Sequence, residues 1–163
     1  MIKGMVEGGR VDGLSEAHCR RLLASTPVGR VVYTDQALPA IAVVNHRVRG
    51  DDIVFRADDG GRLAAALHRS VVAFEADAVD PETAVGWSVV AVGEALRVAG
   101  TAELESLADL GLRTWFGPAA GGDLIRIRIQ LLTGHATGGS GSGSGGSGDS
   151  AAGHRAVIPL VSG

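Results

Sequence analysis

Cysteine, lysine and aromatic residues are all scarce in this chain of 163 residues, and each scarcity closes off a class of protein. Cys19 is the single cysteine, so no disulfide forms within one chain and no cysteine metal cluster is built; a reducing compartment fits. With Leu22 and Leu23 it recurs at helical spacing, which reads as a small core residue. Lys3 is the single lysine, and with a formal net charge of −3 the chain lacks the cationic excess on which general nucleic-acid binding rests. No apolar run approaches the roughly 20 residues that a bilayer requires, and Met1 to Gly13 carries neither an apolar leader core nor a cleavage pattern. The expectation is a cytoplasmic protein with neither nucleic acid nor membrane as a partner.

What is present is the balance of a folded domain, 45% hydrophobic and 20% charged. The positive charge is nearly all arginine, the better residue for forked contacts to phosphate or carboxylate. Ser15 opens a helix running to about Ala24, capped by its hydroxyl and stapled by Leu14 against Cys19. Short β-branched runs follow at Arg30–Thr34, Ala40–His46 and Ile53–Ala57, a meander broken by turns. Arg62–His68 favours a helix, Val72, Phe74 and Ala76 alternate on a strand, and Trp87–Val98 is a longer one. Thr101 reads as the cap of a second helix through about Leu112, with Leu104 and Leu107 towards the core. Ile125, Ile127, Ile129 and Leu131 are expected on one face of the last strand.

These elements describe a mainly β fold, a small barrel capped by helices. The expected organisation is an extension at 1–13, one domain at 14–137, a Gly/Ser linker at 138–148 and a tail at 149–163. The apolar Ala156–Val161 reads either as an unstructured tail or as a strand added to an exposed edge.

No Walker loop, GxGxxG after a strand, HExxH or GxSxG motif occurs, so no catalytic side chain is named. The five histidines are scattered rather than spaced as ligands, and no metal is expected. The segment Phe55-Arg56-Ala57-Asp58-Asp59-Gly60-Gly61-Arg62-Leu63 stands apart. It ends a strand, allows close backbone approach at two glycines and opens a helix with a second arginine. It reads either as a phosphate turn or as a solvated glycine turn flanked by surface arginines.

The order of Gly29-Arg30-Val31, Val43-Val44-Asn45, Ile53-Val54-Phe55-Arg56, Gly61-Arg62-Leu63, Val72-Ala73-Phe74-Glu75 and Gly86-Trp87-Ser88-Val89 resembles the pyridoxamine 5′-phosphate oxidase-like family, its actinobacterial branch above all. The resemblance covers about residues 14–135. It implies a six-stranded split β-barrel of the FMN-binding type, working as a homodimer with FMN or a deazaflavin at the interface. Val43, Val44, Asn45 and His46 match the strand that lines the flavin. Phe55, Arg56 and Ala57 match the next strand, at the ribityl and phosphate end. Arg62, beside Leu63, falls where the family has a phosphate-binding lysine, and Trp87 and Ser88 fall where a partner subunit contacts the ring system. Ala57 replaces a usual hydroxyl residue, and His135 stands where relatives carry arginine. The function implied is a flavin-dependent oxidoreductase acting on a small molecule by hydride transfer through FMN. The alternatives are a reductase using coenzyme F-420 and a flavin or haem carrier without turnover.

Overall fold

The last strand closes the molecule. In the computed structural model, which describes residues 11–57, 61–114 and 121–137, β7 (Asp123–Thr137) pairs antiparallel with two strands that are neighbours nowhere else. One is β4 (Asp52–Ala57), the other β6 (Gly86–Arg97). Between them run β3 (Leu38–Arg49), β2 (Val28–Asp35) and β5 (Ser70–Val79), so six antiparallel strands form a ring in the order β7-β4-β3-β2-β5-β6. A short β1 (Val11–Gly13) lies outside it and pairs with His135–Thr137. The asparagine-free turn between β2 and β3 places Gln36 and Ala37 at positive φ, and Gly50 does so between β3 and β4.

Period-two alternation fills the ring. Val31, Val44, Phe55, Val72, Phe74, Ala76, Val89, Ala91, Ile125 and Ile127 are buried together, each large side chain contributing about 1.5–3 kcal/mol. Helix α1 (Glu16–Ser25) plugs one side with Cys19 and Leu23, both fully buried. The Ser15 hydroxyl accepts from the His18 N–H at 3.3 Å, and Arg20 ties the helix to the β3–β4 turn through Gly50 O at 3.2 Å and Asp51 at 3.1 Å. The six-residue α2 (Arg62–Leu67) adds Leu63, Ala64 and Leu67 to the same core.

A second, smaller core lies outside the ring. Val54, Val98, Leu107, Leu112 and Leu124 cluster where α3 (Thr101–Ala108) and the segment after it cross the outer face of β4. Polar bonds strap this segment down. Arg126 pairs with Glu103 at 2.8 Å, Arg49 donates to Ser106 O, and Arg56 donates to Leu112 O at 3.2 Å.

Three local expectations are corrected. Leu131 is 57% exposed instead of facing inward, because Gly93 pairs with Ile129 while Val92 pairs with Leu131. Gln130 is the extra residue of a bulge, and one extra residue turns every later side chain to the opposite face, bringing Leu132 and Gly134 inward instead. Gly100 is the N-cap of α3, without a side-chain cap, and Thr101 is its first residue. The helix ends at Ala108, one turn short of Leu112, and Leu104 is exposed while Leu107 is buried. The expected linker and the tail lie outside the described residues, as do Asp58, Asp59 and Gly60.

Candidate functional site: two pockets on the barrel wall

Alternation along β3 and β4 decides what each expected site residue can offer. Val44, His46, Phe55 and Ala57 are buried with their side chains in the ring, and Leu63 joins them from α2. To a ligand outside the barrel these five present backbone. His46 Nε2 donates to Leu23 O at 3.0 Å, which fixes the tautomer, since a carbonyl only accepts. Its ring meets Phe74 edge-on at 4.7 Å, and its Nδ1 is buried without a partner. Desolvation holds the imidazole below its ordinary value, with the nearby Arg47 charge adding to the effect against the Leu23 bond.

Val43, Asn45 and Arg56 face outward. Since His46 pairs with Phe55, Asn45 lies beside Arg56 one step along the ladder. Here a pocket of about 170 Å³ opens between β3 and the segment after α3, lined by Pro27, Asn45, Arg47, Gly111, Leu112 and Arg113. Asn45 donates to Arg113 O at 3.4 Å, and Arg47 to its neighbour's carbonyl, His46 O, at 3.0 Å. Arg56 borders the pocket through Leu112 and also donates to Gly122 O at 3.2 Å. Among the described residues no carboxylate pairs with Arg47, Arg56 or Arg113, although most other outward arginines have one. Two or three guanidinium groups with no carboxylate partner among the described residues, set around a polar amide, suit an anion.

Arg62 is elsewhere. Its side chain is 74% exposed and reaches Asp35 at 3.6 Å, and among the described residues it shares no partner with Arg56. Arg47 and Arg113 are the residues that sequence reasoning missed. The alternation Asn45, Arg47, Arg49 along the outer face of β3 carried a signal for the first; nothing local marked the second.

Trp87 and Ser88 line a separate pocket of about 310 Å³ at the far end of β6, together with Asp77, Val79 and His135. Trp87 packs partly on the core, while Ser88 is on the outward face.

This ring of six strands, sealed by its last strand and carrying a basic pocket on its wall, is a split barrel. The family model for pyridoxamine 5′-phosphate oxidase matches residues 15–136, and the chain belongs to that family. An uncharacterized protein of Mycobacterium tuberculosis is 36% identical over 126 residues, covering 74% of this chain and 82% of that one. A solved FAD-binding protein from Mycobacterium smegmatis is 30% identical with a TM-score of 0.65, over 77% of this chain and 97% of that one. An FAD-binding protein from Mesorhizobium loti, 17% identical over 78% of this chain and 99% of its own, shares the fold with a TM-score of 0.64.

Proposed function

We propose that this chain binds a flavin and works as a flavin-dependent oxidoreductase, as a homodimer, on a small organic substrate. The observation that carries the reading is the basic pocket at Asn45, Arg47 and Arg113, with Arg56 at its border, on the outer face of the two strands where the family likeness puts the flavin. The M. smegmatis relative, an FAD-binding protein at 30% identity, supports a flavin.

The residues fit the anionic end of such a cofactor. Arg47 and Arg113 would hold its phosphate, Asn45 would hydrogen-bond the ribityl end, and the backbone of Val43–His46 would lie along the ring system. When bound, the flavin supplies the hydride chemistry, so no side-chain nucleophile is required, which fits a sequence without catalytic motifs. At about 170 Å³ the pocket falls short of the 300–1,000 Å³ usual for small-molecule sites, so one chain leaves the ring system uncovered. A two-fold mate would provide the missing wall. An apolar row on the outer face supports this, because Ile41, Val32, Ala73, Val92 and Leu131 are successive cross-strand partners over five strands. Ile41 is 66% exposed at one end of it.

The test is a cofactor screen by absorbance and thermal shift with FMN, FAD, coenzyme F-420 and haem. A ligand that binds only the folded state raises the melting temperature. FMN or FAD is expected to do so and to keep a flavin spectrum after gel filtration. A shift with F-420 alone makes the chain a deazaflavin-dependent reductase of the same fold, one with haem alone makes it a haem carrier, and no shift with any of the four overturns the cofactor assignment.

A further inference from the structure

We propose a second binding site, for an organic cation, at the β5–β6–β7 end of the barrel: a flat apolar body carrying an amidinium, guanidinium or ammonium group, anchored by Asp77 and flanked by Trp87. Register builds this site. Asp77 pairs with Ser88 and Ser88 with His135, so a carboxylate, a hydroxyl and an imidazole stand in one cross-strand row on the outward face. The bulge at Gln130 is what turns His135 outward into that row. The row floors the pocket of about 310 Å³, at the lower end of the range for small-molecule sites, and Val79 and Trp87 supply its apolar surface.

The charge balance selects a cation. Arg30 is the basic partner of two outward carboxylates on β5, at 3.0 Å from Glu75 and 3.6 Å from Asp77, so one guanidinium serves two negative charges. Asp77 is the more distant and the more exposed of the two, at 44% against 23%, and it is the one that lines the pocket. A cation drawn out of water against the carboxylate gains a charge-assisted hydrogen bond. The order of the row argues for binding rather than hydrolysis. Ser88 stands between His135 and Asp77, so the carboxylate is on the wrong side of the hydroxyl to orient the imidazole as a triad requires.

The site does not rest on the flavin reading, although both readings claim Trp87 and Ser88, and the test separates them. Isothermal titration at neutral pH uses benzamidine as the cation and benzamide as its neutral isostere, on flavin-free protein. Benzamidine is expected to bind roughly tenfold more tightly than benzamide, with Asp77→Asn abolishing that preference and Asp77→Glu keeping it. Asp77→Asn is expected to melt like the wild type and to keep its FMN affinity. Equal binding of the two probes, an unchanged preference in Asp77→Asn, or a parallel loss of FMN in that variant would each overturn the proposal. If the wild type binds benzamidine selectively and FMN not at all, the flavin reading fails while this one stands.

Discussion

Gly134 on β7 lies directly against Cys19 of α1: a Cβ at 134 would stand 2.6 Å from the Cys19 Sγ, 3.2 Å from Val89 and 3.3 Å from Leu14. The helix that plugs the barrel seats on a strand position without a side chain. Gly134→Ala is expected to cost about 1–3 kcal/mol, the usual penalty for overpacking a filled core. Because the tightest contact is a thiol, Cys19→Ala should recover part of the loss in a double-mutant cycle by urea unfolding. At Gly93 the obstacle is the backbone carbonyl of Arg128, which cannot rotate away, so Gly93→Ala should destabilise more and resist rescue by any side-chain change. Equal losses at the two glycines would count against this account of the bulge.

His46 predicts an acid-side weakness. Its folded value is held below the ordinary 6.5, so as pH falls through 6.5 the unfolded chain takes up a proton that the buried ring refuses. That contribution to stability is intact above neutrality and is lost between 6.5 and the lower folded value, by up to about 1.4 kcal/mol per pH unit. Glu75 has the opposite sign. Desolvation, with Asp77 adjacent, raises it above 4.5, so the folded state binds that proton first and gains stability as pH falls towards 4.5. Denaturant melts from pH 8 to pH 5 on wild type and His46→Gln, about three units of titration, should show the shallower slope in the variant.

The basic pocket and the exposed Arg62 make different claims on a flavin phosphate. Arg47→Glu and Arg113→Glu each replace a guanidinium that has no carboxylate partner among the described residues by a repelling carboxylate and should weaken FMN binding by roughly 2–4 kcal/mol. Arg62→Glu, whose side chain is 74% exposed beside Asp35, should cost less than either. Fluorescence titration of the three folded variants ranks them, and a largest loss at Arg62 would return the phosphate to the start of α2.

For the homodimer, the informative change is a charge at each end of the apolar row. Ile41→Glu and Leu131→Glu alter side chains already 66% and 57% exposed, so neither should disturb the ring. Light scattering at micromolar concentration is expected to give a dimer for the wild type and monomers for the double variant, with unchanged circular dichroism. A double variant that remains dimeric places the interface on another face.

The strands were legible wherever alternation held. Val72, Phe74 and Ala76, and Ile125, Ile127 and Ile129, face inward as the pattern requires. Leu131 was not, because period two survives only until a residue is added, and the bulge is set by the pairing of Gly93 with Ile129 rather than by anything near Gln130. The site divided in the same way. Asn45 and Arg56 lie on adjacent strands and could be placed by likeness. Arg113 reaches Asn45 from 68 residues along the chain, a closeness that exists only once α3 is strapped across β4.

The double pairing of β7 also sets a schedule. A chain made from its N-terminus holds β2 to β6 as an open sheet, because both seams, to β4 and to β6, wait for the same final strand. Even the short β1 finds its partner only at His135–Thr137. Such first-to-last pairing gives a high contact order and slow folding, and unpaired strand edges are templates for aggregation in the meantime. During synthesis, then, two bare edges govern the solubility of the nascent chain, and translation must pass Thr137 before they disappear.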